Sequence, residues 1–155
     1  MKSKHLLTLT TLLLAAVAVA CFAPGAIAQT EEGTAAAESG QEWQELKKGL
    51  RYLHIVVGDG REARRGKMVT VHYVGRLSDG TIFQSSRENN RSFVFRLGEG
   101  QVIQGWDRGM VGMKVGGVRR LQIPAKLGYG KRGIKGRIPK DADLDFEVEL
   151  LAVTN

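Results

Sequence analysis

The sequence predicts an α+β domain, in which an antiparallel β-sheet of about five strands wraps around one short α-helix. Stretches of alternating apolar and polar residues recur from Leu50 onward, which is typical of strands with one buried face. One segment between these stretches has apolar residues at helical spacing. The 155 residues include 20 glycines and 3 prolines without a repeating period, which favours a turn-rich fold over a helical bundle.

Five segments carry the strand pattern, namely residues 50–57, 68–74, 93–97, 118–123 and 144–150. The last is the clearest, because its four apolar residues alternate with three acidic ones. Such alternation predicts a strand with one face on a core and the other in water. The turn pairs Asp59-Gly60 and Asp79-Gly80 follow the first two segments, and Pro124 ends the fourth.

The helix is predicted from the spacing of four apolar residues. Ile103, Trp106, Met110 and Met113 are three, four and three residues apart, as on one face of a short helix. Glycines interrupt the same segment, so its intrinsic helix propensity is weak. We therefore expect packing to hold the helix in place, with Trp106 as its anchor.

Residues 1–28 have the pattern of an export signal peptide. Two lysines precede an uncharged apolar run, and Ala26-Ile27-Ala28 places small residues where a signal peptidase requires them. Residues 29–45 are small and polar and are expected to form a disordered linker. The folded domain is then residues 46–155, and its expected location is the periplasm.

Cys21, the single cysteine, supports an alternative interpretation of the amino-terminal segment. It follows Ala18-Val19-Ala20, which resembles a bacterial lipoprotein box although Ala18 stands where leucine is usual. Under this alternative a lipid on Cys21 anchors the domain to a membrane. An uncleaved anchor is a third possibility, but the apolar run is short for a bilayer. A single cysteine also excludes an intrachain disulfide and a multi-cysteine zinc site.

Generic catalytic motifs are absent from the sequence. There is no G-x-S-x-G or H-E-x-x-H motif, and His54 and His72 are expected to be ordinary strand residues rather than metal ligands. No cofactor or metal is therefore expected. A basic stretch contains Lys131, Arg132, Lys135, Arg137 and Lys140. We expect a solvated loop there, with binding of an anionic partner as the alternative, and no nucleic-acid binding because the chain is expected to be exported.

Six short motifs succeed one another between residues 46 and 153. They are Val71-His72-Tyr73-Val74-Gly75, Phe83-Gln84-Ser85-Ser86-Arg87, Val102-Ile103-Gln104-Gly105-Trp106, Gly112-Met113-Lys114-Val115-Gly116-Gly117, Gly128-Tyr129-Gly130 and Ile138-Pro139. In order and spacing the sequence resembles the FKBP family of peptidyl-prolyl cis-trans isomerases, also called rotamases. The resemblance implies a twisted antiparallel β-sheet around one short α-helix, as the patterns alone predict.

The resemblance also implies a shallow apolar pocket for a proline ring, with Trp106 as its floor. The catalytic residues implied are Tyr73, Phe83, Trp106, Tyr129 and Phe146. The substrate-binding residues implied are Gln84, Phe93, Val102, Ile103 and Ile138. The Tyr129 hydroxyl and the Ile103 backbone N–H are the expected hydrogen-bond donors to the substrate.

The expected partners are proline-containing polypeptides, above all unfolded or partly folded exported proteins, and macrolide inhibitors of the FKBP family. The expected activity is isomerisation of Xaa-Pro bonds, which makes the protein a folding enzyme and a chaperone of exported chains. A monomer is expected, because the chain lacks the long helical dimerisation arm of some exported relatives.

Three departures from the family pattern bear on activity. Gln84 stands where active members usually have aspartate, and Asn89 stands where a basic residue is frequent. Ile134 and Lys135 replace the common histidine and proline. We expect weaker or retuned catalysis, with a catalytically weak prolyl-binding or holdase module as the alternative.

Overall fold

The structure is a computed structural model in which residues 42–88 and 90–155 are described. The predicted signal peptide, Cys21, most of the predicted linker and Asn89 lie outside these residues. Among the described residues, no helix is long and apolar enough to cross a membrane.

The described residues form a seven-stranded antiparallel sheet and one α-helix. The strands are β1 Gln44–Glu45, β2 Arg51–Val56, β3 Met68–Leu77, β4 Ile82–Ser85, β5 Phe93–Arg96, β6 Val118–Ile123 and β7 Leu144–Thr154. Helix α1 is Gln104–Gly109, and 3₁₀ turns occupy Lys47–Gly49, Ala125–Leu127 and Gly130–Arg132. The strand order is β1-β2-β6-β7-β3-β4, and β5 also pairs with β3.

The predicted fold class is confirmed, and the sheet gains two short strands that the sequence pattern did not predict. Strand β1 has only two residues, too few to show any alternation. Strand β4 has four, and its side chains are exposed or half-buried without a fully buried face. Period-two patterning reports burial of one face, so strands that bury none escape it.

Strand β7 is the longest, with eleven residues between β6 and β3. Its buried side chains alternate from the start of the strand to Leu150, as predicted, but the next buried one is Val153. The register with β3 shifts between Thr70 and Val71, which places an extra residue in β7. This bulge moves the apolar side chains back to the core face.

Two glycines of α1 allow the helix to lie very close to strand β6. A Cβ atom on Gly105 would lie 2.4 Å from the side chain of Ile123, and one on Gly109 would lie 2.8 Å from Leu121. The residues that weaken the helix by propensity are therefore those its packing requires. Trp106, between them, is 4 % exposed and anchors the helix in the core.

Candidate functional site

A cavity of about 200 Å³ lies at the amino-terminal end of helix α1. Its lining residues are Tyr73, Gln84, Phe93, Gln101, Val102, Ile103, Trp106, Tyr129 and Phe146. No side chain among these lining residues carries a charge at neutral pH. A larger groove of about 480 Å³ is bounded by arginine and aspartate side chains of the sheet, so it lacks this apolar character.

The indole ring of Trp106 forms the centre of the aromatic lining. Its centroid lies 5.0 Å from that of Tyr73 and 5.2 Å from that of Phe146, and both pairs are edge-to-face. Phe93 approaches at 6.2 Å with a similar tilt. These are the favoured geometries of aromatic pairs, so the contacts between the rings stabilise this arrangement of the lining.

Phe83 does not line the cavity, in contrast to what the resemblance implied. Its ring packs edge-to-face on Phe146 with centroids 5.5 Å apart. Gly75 makes this contact possible, because a Cβ there would come within 2.7 Å of both rings. Phe83 therefore supports a wall of the cavity from behind.

Ile138 is the second predicted site residue that lies away from the cavity. It is 4 % exposed, and its backbone pairs with Ile134 across a short hairpin. The other eight predicted residues all line the cavity.

The backbone N–H of Ile103 and the hydroxyl of Tyr129 are hydrogen-bond donors at the cavity. The carbonyl of Ile103 accepts bonds from Trp106 and Asp107 at 3.0 and 3.2 Å. The N–H of Ile103 makes no hydrogen bond to the described part of the chain, so it is available to a ligand. Tyr129 is half-buried, and burial raises its pKa, so its hydroxyl stays protonated and can donate.

Tyr73 contributes a second hydroxyl to the lining, beside that of Tyr129. Burial raises the pKa of Tyr73, and the neighbouring Tyr129 raises it further. Both phenols are therefore neutral donors at physiological pH. Gln84, on β4, adds an amide without charge, so the cavity has polar groups but no ion.

Sequence reasoning missed two residues that shape the entrance to α1. Gln101 lines the cavity, and its side-chain oxygen accepts a bond from the backbone N–H of Arg96 at 2.9 Å. The Asp107 carboxylate accepts bonds from the N–H groups of Gly98 and Gly100 at 2.8 and 2.9 Å. Together they hold the loop that leads to Ile103. Gly98 and Gly100 were the signal in the sequence that could have indicated this tight loop, and both adopt a positive φ.

A second aromatic cluster lies at the other end of α1, around Arg119. This side chain is 2 % exposed, and its guanidinium donates to the carbonyls of Gly109 and Val111. The guanidinium carbon lies 4.3 Å from the centroid of the Tyr52 ring. Burial lowers the pKa of Arg119 to about 10, still far above neutrality.

His54 completes this cluster. Its Nε2 lies 3.1 Å from Nη2 of Arg119 and accepts that donor in the neutral state. Burial lowers the pKa of His54, and the positive charge of Arg119 lowers it further. The sequence alone predicted an ordinary strand histidine and did not single out Arg119.

The fold and the cavity define a domain with an uncharged, largely aromatic site beside one short helix. Comparison with known proteins identifies the family to which this domain belongs. The family of FKBP-type peptidyl-prolyl cis-trans isomerases matches residues 59–151. The FK506-binding protein of Neisseria meningitidis serogroup B is 54% identical over 105 residues, which cover 68% of this chain and 96% of that protein.

Two further relatives agree. The peptidyl-prolyl cis-trans isomerase FKBP2 of Homo sapiens is 53% identical over 92 residues, covering 59% of this chain and 65% of that protein. The crystal structure of a peptidyl-prolyl cis-trans isomerase from Pseudomonas syringae pv. tomato superposes with a TM-score of 0.66 at 36% identity, covering 73% of this chain and 81% of the other. The chain belongs to the FKBP-type peptidyl-prolyl cis-trans isomerase family and is an isomerase, as predicted.

Proposed function

We propose that the cavity beside α1 binds the proline ring of a polypeptide and accelerates rotation about the preceding peptide bond. The observation that carries this proposal is the combination of an edge-to-face aromatic lining, the absence of charge among the lining residues, and the donors at Ile103 and Tyr129. Trp106 forms the floor, while the N–H of Ile103 and the hydroxyl of Tyr129 bind carbonyl groups of the substrate.

The chemistry of the reaction fits such a site. Rotation must break amide resonance, against a barrier of about 18–20 kcal/mol, and no covalent bond is made or lost. In the twisted transition state the proline nitrogen leaves conjugation and the amide becomes less polar. A dry aromatic cavity therefore binds the transition state better than the planar ground state. A ten-thousandfold acceleration requires only about 5.5 kcal/mol of such differential binding.

The test is the cis-to-trans exchange of an Xaa-Pro peptide with the full-length protein. We expect a rate that rises in proportion to enzyme concentration, and an unchanged rate at micromolar protein would overturn the proposal. Tyr129→Phe should lower kcat/KM because it removes one donor from the cavity. Tyr52→Phe is the matched control, since its hydroxyl bonds to Gln44 outside the cavity.

We further propose that a macrolide of the FK506 type competes with peptide for this cavity. Relatives at 54% and 55% identity are named for binding that ligand. Eight of the ten residues implied by the family resemblance line one cavity here. Inhibition should be competitive with the proline peptide; inhibition that leaves KM unchanged would contradict a shared site.

The biological setting that we propose is folding of exported proteins by a monomer. The signal-peptide pattern of residues 1–28 supports export to the periplasm, with lipidation at Cys21 as the alternative. Mass spectrometry of the protein from cells separates the two. A chain that starts at Gln29 supports the first, and a lipid-bearing Cys21 supports the second.

A catalytically weak prolyl-binding or holdase role is the second candidate. Gln84 suggests this role, because its amide replaces the carboxylate expected from the family pattern and lines the cavity without charge. A Gln84→Asp variant distinguishes the two. A large gain from an almost inactive parent favours the holdase role, whereas an active parent with little gain favours the isomerase.

A further inference from the structure

A short basic hairpin, residues 131–140, follows the cavity residue Tyr129 along the chain. Its five cationic side chains are Lys131, Arg132, Lys135, Arg137 and Lys140, and all five are exposed. The segment contains no acidic residue. Within the described part of the chain, none of the five makes an ion pair or a side-chain hydrogen bond.

The hairpin is held in place by its own backbone and by the core. Ile134 and Ile138 exchange both backbone hydrogen bonds at 2.8 Å, and Ile138 is buried. The N–H of Asp141 bonds to the carbonyl of Gly130 at 2.9 Å and closes the base of the hairpin. The cations therefore project from a fixed frame, which reduces the entropy lost when a partner binds.

Among the described residues, two cations on the sheet have acidic partners, which the five cations of the basic hairpin do not have. On the outer side of the sheet Arg87 pairs with Glu149, and Arg120 pairs with Asp145 at 2.9 Å. In the basic hairpin five like charges lie within ten residues and repel one another. Their side chains make no ion pair within the described residues, so all five charges are available to an anionic group from outside.

The place of the basic hairpin relative to the cavity indicates where that group comes from. Tyr129 lines the cavity, and its carbonyl accepts a bond from the N–H of Gly133 in the hairpin at 3.2 Å. When the proline of a polypeptide occupies the cavity, the residues on either side of that proline must run over the surface that surrounds the cavity. Because the lining carries no charge, with Gln84 as an amide, an acidic flank meets attraction at the hairpin and no repulsion in the cavity.

We propose that the basic hairpin selects polypeptides that carry acidic residues close to the isomerised proline. This inference rests on the proposed function and adds the class of substrate. Positive charge beside a neutral binding site raises the local concentration of acidic segments and speeds their encounter. The effect is electrostatic, so it weakens as salt shortens the range of the interaction to a few ångströms.

The experiment compares three peptides with the same Xaa-Pro core and flanks of glutamate, glutamine or lysine. At low ionic strength we expect kcat/KM to be about fivefold higher for the glutamate peptide than for the glutamine peptide, and lower for the lysine peptide. At about 0.5 M salt the three values should converge.

Two matched variants locate the effect in the basic hairpin. Lys131→Gln with Lys140→Gln removes two of its charges, both exposed. Lys47→Gln with Lys48→Gln removes two exposed lysines beside a different groove, and the net charge changes equally. We expect the first pair to lose most of the preference for glutamate and the second pair to retain it, with the glutamine peptide turned over at the same rate by both.

Equal kcat/KM for the glutamate and glutamine peptides at low salt would overturn the proposal, as would equal losses in both variants. Binding to vesicles of anionic phospholipid without a preference among the peptides would assign the hairpin to a membrane surface instead. No acceleration of any of the three peptides would overturn the proposed function itself. The two failures are therefore distinguishable.

Discussion

The cavity at the start of α1 and the Arg119 cluster at its end are both lined by aromatic rings, yet their contents differ. The cavity has an edge-to-face lining around Trp106, no charge among its lining residues and an open volume. The other cluster is filled by the guanidinium of Arg119 against Tyr52. Of two aromatic surroundings, one therefore holds a cation of the chain itself, while the other is open and is the site that we propose for an external apolar ring.

The difference follows from what the helix needs at each end. The last carbonyls of a helix have no partner within it. Arg119 donates to the carbonyl of Gly109, the last residue of α1, and to that of Val111 just beyond the helix. At the start, the N–H of Ile103 has no partner among the described residues and borders the cavity. The fold thus supplies a donor at one end of α1, while at the other end the described residues leave the N–H of Ile103 free for the substrate that we propose.

The largest effect is expected from Trp106→Ala, which removes the floor of the cavity. Loss of a buried aromatic side chain should lower the free energy of unfolding by about 3–5 kcal/mol. Isomerisation should become undetectable above the uncatalysed rate. Urea denaturation and the peptide assay measure the two effects.

The second tryptophan provides the control for that prediction. Trp43 is half-buried and contacts the guanidinium of Arg51, so Trp43→Ala should cost about 1 kcal/mol or less and leave activity intact. If Trp106→Ala is too unstable to assay, Trp106→Leu retains apolar volume without the flat ring. An active Trp106→Leu variant would contradict the role given to the indole.

Replacement of the buried cation should have the next largest effect. Arg119→Met leaves the carbonyls of Gly109 and Val111 without a donor, which should lower the unfolding free energy by about 2–4 kcal/mol. Arg120→Met is the adjacent control, where a surface pair with the half-buried Asp145 should contribute about 1 kcal/mol or less. Chemical denaturation of the two variants gives the comparison; equal losses would show that burial of Arg119 yields no net stabilisation.

Asp107→Asn should have a smaller effect, concentrated on substrate binding. The amide retains only one acceptor for the N–H groups of Gly98 and Gly100, so we expect a loss of about 1–2 kcal/mol in stability. As a positioning residue, Asp107 should affect KM more than kcat, because the loop before Ile103 loosens.

A matched carboxylate tests whether that effect is specific. Asp79 also accepts a backbone bond, from Thr81 at 2.9 Å, in a turn that does not line the cavity. Asp79→Asn should leave KM unchanged. If both variants raise KM alike, the carboxylate of Asp107 has no particular connection with the cavity.

The smallest effect is a dependence of stability on pH at the Arg119 cluster. The pKa of His54 is lowered in the folded state from 6.5, so the unfolded state binds the proton first as the pH falls. Stability from this residue is complete above about pH 6.5 and is lost as the pH drops through the folded-state pKa. Denaturation midpoints from pH 8 to 5 should therefore fall less in His54→Gln, which retains an acceptor for Arg119; identical profiles would contradict the prediction.

Much of the cavity was predictable from sequence, because family motifs fix residue types at positions along strands. Eight of the ten residues implied by the resemblance line one cavity. Phe83 does not, since its place behind Phe146 depends on Gly75 allowing two rings to meet. That is a matter of three-dimensional packing which spacing along the chain does not encode.

The Arg119 cluster was not predictable in the same way, although one signal existed. Arg119 lies on the same face of strand β6 as Leu121 and Ile123, which are both buried. Arginine is seldom fully buried, so the sequence by itself does not place Arg119 inside. Only the end of α1 and the ring of Tyr52 explain why the guanidinium lies inside.

The central position of β7 constrains how the domain can be assembled. It is the last strand in chain order, yet it pairs with both β3 and β6, which make no pairing with each other. A chain produced from its amino end onward therefore cannot join the two halves of the sheet until β7 is available. An enzyme proposed to relieve a slow step in the folding of other chains thus has long-range pairings that delay its own folding until its last strand is present.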